Sequence, residues 1–280
     1  MTLRLGACVF FVIATVATVG GCTKSPPGGN AVAYVARGDT HPADPAHAML
    51  ARTYRSEDSL LPTAGPCPAN MASVGSFCID RYEAALVEIL PNGDERPFDS
   101  ISLAAGHVVR AVSERGVFPH GYISEVQAKD ACARSGKRLC KADEWRKACM
   151  GPSHTTFGYG NTRVSGRCND HGTSPMISVM QVRVDRPWTW TYDKMNDPRL
   201  NQAPSTLART GEHASCTNGY GVYDMVGNLH EWVDDPDGTF QGGYYLDTHV
   251  NGDGCTYRTT AHGASYHDYS TGFRCCASGS

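Results

Sequence analysis

The segment from Gly242 to Cys255, GGYYLDTHVNGDGC, carries an acid, a histidine and a glycine-rich turn before a single cysteine. A thiolate at Cys255 would be a nucleophile or a soft metal ligand; oxidised, the same atom is half of a disulfide. Asp247 and Asp253 would raise a thiol's pKa there and so disfavour the reactive form. A second set lies upstream in DMVGNLHEW, where Asp224 and Glu231 bracket a glycine turn. Two carboxylates and turn carbonyls converging on one point are hard oxygen ligands, which suit calcium. His230, His249, His262 and His267 have a spacing that fits no compact ligand set, and the cysteines lack the paired C-x-x-C clusters of a zinc site.

These residues need a scaffold, and the sequence supplies one. SFCIDRYEAALVEIL has the β-branched and aromatic content of a strand. SEVQAKDACARSG predicts a helix: Ser124 and Gln127 form a capping box, Val126, Ala131 and Cys132 share a face, and Gly136 stops it. ADEWRKACMG predicts a second, with acids in its first turn, bases in its last and a glycine after it. From Cys149 to Cys216 turn residues and isolated aromatics predict long loops held by disulfides and by metal ions.

The 280 residues, 41% of them hydrophobic, suffice for a substantial core, and a net charge of -3 leaves no basic patch, so nucleic acid is not an expected partner. The first 21 residues have one charge, Arg4, and an apolar run from Leu5 to Val19. That run is shorter than the roughly 20 residues of a spanning helix, so it predicts an export signal. VGGC resembles a bacterial lipobox, with Cys22 as the lipidated first residue of the mature protein; Thr23 in the next position favours the outer membrane of the cell envelope. Residues 22–66, with six prolines and SPPGGN, predict a disordered tether, and residues 67–280 one domain. Removing Cys8 and Cys22 from the 12 cysteines leaves ten, an even number that implies up to five disulfides in an oxidising compartment.

Three pieces together carry a family likeness: SGKRLCKADEWRKAC at 135–149, NGYGVYDMVGNLHEWVDD at 218–235 and GFRCC at 272–276, with GGYY between the last two. Their order resembles the formylglycine-generating enzymes, or sulfatase-modifying factors. The resemblance covers about residues 67–280. It implies an α+β, loop-rich, disulfide-braced variant of the C-type-lectin fold. It also implies a calcium site at the Asp224 side chain, the Gly227 and Leu229 carbonyls and the Glu231 side chain, a second calcium at Asn169 and the Asp170 carbonyl, and a Cys132–Cys275 disulfide.

Active members of that family oxidise a substrate cysteine with copper held by two cysteines five positions apart. Here the first position is Asp247, the second matches Cys255 eight positions on, and the active-site serine becomes Tyr244. A carboxylate is a hard ligand and a poor substitute for a thiolate on Cu(I). Two classes of function follow. One is a calcium-stabilised binding or structural module on a lipid anchor, for an envelope protein, peptide or glycan. The other is an oxidoreductase of remodelled copper or non-haem iron chemistry, with Asp247 and Cys255 at its centre. For the remaining cysteines, local spacing suggests Cys67–Cys78 and Cys149–Cys168, which leaves four; Cys216 and Cys255 both flank the unit from YGVYDMVGNLHEW to GGYY and are expected to pair, with Cys140 taking Cys276.

Overall fold

The computed structural model describes residues 67–279; the signal segment, Cys22 and the tether lie outside them. β1 (Met71–Val74) and β2 (Phe77–Asp80) form a hairpin, and β3 (Ala84–Ile89) follows at once. The single strand expected over residues 76–90 is therefore two. The chain turns at Arg81–Glu83, because the buried Asp80 and Glu83 both leave the strand for partners elsewhere. Next come β4 (Glu95–Pro97), β5 (Val109–Ser113), α1 (Glu125–Arg134), β6 (Arg138–Leu139) and α2 (Ala142–Met150). Two one-turn helices, α3 (Pro175–Ser178) and α4 (Tyr192–Met195), punctuate the loops. The C-terminal third adds β7 (His230–Trp232), β8 (Phe240–Gln241), β9 (Arg258–Thr259), β10 (Thr271–Phe273) and β11 (Cys275–Ser278).

The strands make three small sheets, in the orders β1-β2-β11-β6, β10-β7-β8-β9 and β4-β3-β5. β11 lies between β2 and β6, so the last strand closes the sheet that the first begins. β10 runs parallel to β7 and sets Gly272 beside Glu231. The GFRCC and DMVGNLHEW pieces of the sequence thereby become neighbours.

α1 has the expected cap: Gln127 N–H donates to Ser124 Oγ, and the Gln127 amide oxygen accepts from Ser124 N–H. Its buried face is Ala128, Ala131 and Cys132, whereas Val126 is exposed. Residues three and four apart share a helix face, and Val126 falls off the stripe that Cys132 fixes by its bond to Cys275. α2 ends at Gly151, whose φ of 67° is the left-handed stop that a Cβ disfavours. Trp145 of α2 and Trp232 of β7 are fully buried in adjoining core clusters, each burial worth roughly 2–3 kcal/mol.

Five disulfides brace the loops. Cys67–Cys78 closes the first hairpin, and Cys132–Cys275 and Cys140–Cys276 tie α1 and the turn before α2 to β11. The expected Cys149–Cys168 and Cys216–Cys255 pairs are exchanged: Cys149 bonds Cys255, and Cys168 bonds Cys216. The reason is the packing of α2 against the turn Gly254–Thr256, which brings Cys149 and Cys255 to a Cα separation of 5.5 Å. Gly254, at φ 51°, makes the contact possible, since a Cβ there would lie 2.6 Å from the Thr156 carbonyl oxygen.

Candidate functional site

Cys255 is fully buried and oxidised, with its N–H donated to the Thr156 carbonyl at 2.8 Å. It offers no thiolate. Asp247, at the position of the other expected ligand, has both carboxylate oxygens engaged. Oδ1 accepts the N–H groups of His249 and Val250 at 2.9 and 3.0 Å, and Oδ2 accepts the Tyr257 hydroxyl at 3.0 Å. The pair therefore does not fit copper: one residue holds no free sulfur and the other is a hard ligand already used by its own turn.

Behind Asp247 runs a polar chain that sequence spacing did not disclose. Tyr257 Oη lies 3.3 Å from His230 Nε2, His230 Nδ1 lies 3.2 Å from Ser270 Oγ, and the Ser270 hydroxyl donates to Asp268 at 2.7 Å. Tyr266 donates to the other Asp268 oxygen at 2.6 Å. Aromatic rings wrap the imidazole, with Phe240 and Tyr244 centroids at 4.5 and 4.6 Å. Burial pushes the His230 pKa down to about 3, so the ring is neutral at physiological pH and donates from one of its two nitrogens only. Of the other histidines, His262 stacks on Tyr266 at 3.7 Å, His267 Nδ1 meets Asn196 Oδ1 at 2.7 Å, and His249 lies beside Asp247 on the surface. Among the described residues no three His, Cys, Asp or Glu side chains converge as a metal-ligand group.

The loop Asp224–Glu231 is the first expected calcium site. Asp224, Gly227 and Asn228 all take positive φ, 57°, 82° and 58°, which curls the main chain tightly. Gly227 is packed so closely on Asn169 that a Cβ would sit 2.2 Å from its carbonyl oxygen. Three acids are buried around the loop: Glu83, Asp224 and Glu231. Glu231 faces Arg274, accepting from its Nε and Nη2 at 2.7 Å each, and accepts from Trp145 Nε1 at 2.7 Å. Glu83 accepts from the Leu229 N–H at 3.1 Å and from the Asn228 side-chain amide. Asp224 accepts from the Gly211 N–H at 2.6 Å.

One guanidinium thus serves three buried carboxylates. Burial, reinforced by the charges of Asp224 and Glu231, pushes the Glu83 pKa well above the usual range, and burial pushes Asp224 up to about 7. Three buried acids against one guanidinium leave the cluster acid-rich, with hard oxygen donors of the kind that suit a divalent cation. Glu231, expected as a direct ligand, has its oxygens on Arg274 and Trp145. Glu83 and Arg274 were missed from the sequence; the only signal for Glu83 was an acid inside the apolar run YEAALV.

The second expected calcium site is otherwise arranged. Arg163 Nη2 donates to the Asp170 carbonyl at 2.7 Å, and Arg163 Nε donates to its carboxylate at 2.7 Å. Asn169 donates its amide to the Thr206 carbonyl and to Asn228 Oδ1, at 2.8 and 2.9 Å. A guanidinium therefore stands on the oxygen expected to hold calcium.

No curated protein matches the chain. Solved structures similar to it include PvdO from Pseudomonas aeruginosa, at 16% identity over 72% of this chain and 80% of that one, TM-score 0.43. The Treponema denticola variable protein 1 is 12% identical over 78% and 90%, TM-score 0.44. The U1 variant of the Major Tropism Determinant is 16% identical over 77% of this chain, TM-score 0.42, and the chain spans about half, 54%, of its length. The model of the sulfatase-modifying factor enzyme 1-like domain matches residues 52–280, beginning inside the segment read as a tether. The chain therefore belongs to the sulfatase-modifying factor, formylglycine-generating-enzyme-like family, and its α+β, disulfide-braced domain is that family's C-type-lectin-like fold.

Proposed function

We propose that this is an exported lipoprotein whose domain no longer carries out the family's copper chemistry and works as a calcium-stabilised binding module in the cell envelope. The carrying observation is the Cys149–Cys255 disulfide, which commits the one cysteine of the expected copper pair to the core. The deficit of positive charge at Glu83, Asp224 and Glu231 supports one calcium, held by Asp224 and by the main-chain carbonyls of Gly227 and Leu229. Its role there is structural: it neutralises buried acids and fixes the loop that carries β7. The VGGC sequence and the short apolar run before it support lipidation at Cys22 and attachment to the membrane, with the outer membrane favoured by Thr23.

A metal inventory of the purified, natively folded protein tests the reading. It predicts about one equivalent of calcium and no copper or iron. Stoichiometric copper or iron would overturn it in favour of a redox enzyme.

A further inference from the structure

A cleft of about 940 Å³ opens between residues 99–101 and 118, residues 169–173, and residues 201–213. Its size is that of a small-molecule site. Two of its walls are fixed from behind by one side chain of the calcium loop: Asn228 Oδ1 accepts the Asn169 amide at 2.9 Å and the Ala208 N–H at 2.9 Å. Asn169 also donates to the Thr206 carbonyl at 2.8 Å, so the two walls are joined to each other. This cleft is built into the same core that the buried acids organise.

The lining indicates what would bind. Phe118 is 39% exposed, with the Arg209 guanidinium 4.2 Å over its ring. Around it stand neutral hydrogen-bonding groups, among them Gln202, Ser205 and His171. The acids at the rim are already used: Glu212 accepts the Arg209 N–H at 3.0 Å, and Asp99 accepts the Ile101 N–H at 3.3 Å. Two acids against one guanidinium give the cleft no positive excess to select a phosphate. A peptide would want an open strand edge or an apolar anchor pocket, and these walls are loops with one short turn of helix at Leu200–Gln202. A ring with an apolar CH face for Phe118 and many hydroxyls for the amides and hydroxyls matches better.

We infer that this cleft is a binding site for a neutral saccharide, an oligomer of hexose or N-acetylhexosamine. The inference rests on the binding-module reading and gives that module its ligand class and its site. No bond is made or broken; the ligand is held by stacking and hydrogen bonds.

Saturation-transfer NMR on the calcium-loaded protein, with chitotriose, cellotriose, maltotriose and a triglycine control, tests it. At least one trisaccharide should receive saturation and triglycine should not. The Phe118→Ala variant should weaken binding of that sugar at least tenfold at an unchanged thermal midpoint. Trp188→Ala, at a residue 73% exposed that does not line the cleft, should bind as wild type does. No transfer to any of the three sugars, transfer to triglycine instead, or binding equal in Phe118→Ala and wild type would overturn the inference. None of those results bears on whether Cys255 is oxidised or copper is bound, so the module reading stands or falls separately.

Discussion

Cys149, in the last turn of α2, is bonded to Cys255 across 106 residues of sequence, and both sulfurs lie in the core. In the loop-entropy description, closing a loop of that length stabilises the fold by about 4–5 kcal/mol. A chain of this size loses roughly 2–4 °C of midpoint per kcal/mol. The Cys149→Ser and Cys255→Ser variants should each unfold at least 10 °C below wild type by calorimetry, and the double variant should be no worse than the single ones. If Cys149→Ser leaves the midpoint unchanged, the bond is not structural.

Calcium stabilises by binding the native state alone, so its removal lowers stability by mass action. Excess chelator should depress the thermal midpoint of wild type by several degrees and leave Asp224→Ala, already destabilised, nearly unmoved. A wild-type midpoint indifferent to chelator would exclude the site at Asp224.

His120 is fully buried, and neither ring nitrogen has a hydrogen-bond partner. Burial pushes its pKa down to about 3. The unfolded chain takes up a proton near pH 6.5, while the folded one stays neutral until about pH 3. Stability contributed by the neutral ring is therefore complete above about pH 6.5 and is lost as pH falls. Between pH 7 and 5 the loss from this residue is about 2 kcal/mol. His120→Leu, which removes two unpaired polar atoms, should match or exceed wild-type stability at pH 7 and show a shallower decline to pH 5 in urea titrations. His230 is lowered in the same direction and keeps part of the slope in that variant. An identical slope in the two proteins would contradict the assignment.

Lipidation is checked in cells. Labelled palmitate should enter wild type and not Cys22→Ser, which should accumulate as precursor or be released without lipid. Label in the variant would show that Cys22 is not the acylated residue.

The parts of the fold that were legible in the sequence are those set by local chemistry. The Ser124–Gln127 cap and the Gly136 and Gly151 stops operate within a few residues, and α1 and α2 form where they predict. Three of the expected disulfides form: Cys67–Cys78, suggested by local spacing, Cys132–Cys275, implied by family order, and Cys140–Cys276, taken from the cysteines left over. The exchange among Cys149, Cys168, Cys216 and Cys255 depends on how α2 docks on a turn a hundred residues away, which no local pattern encodes. The same holds for the candidate site. Asp224 and Glu231 announce themselves by a short motif, whereas Glu83 reaches the Leu229 N–H of the same loop and Arg274 reaches Glu231 through tertiary packing. The chain from Asp247 through Tyr257, His230 and Ser270 to Asp268 is likewise assembled from β7 and three loops.

The most direct test of the account is alkylation of the native protein without reductant, followed by peptide mapping in mass spectrometry. The account predicts that Cys255 is unmodified and is recovered in a peptide linked to Cys149, with Cys168 linked to Cys216. A Cys255 alkylated in the folded protein, with copper bound at one equivalent, would contradict it and return the domain to the family's copper chemistry.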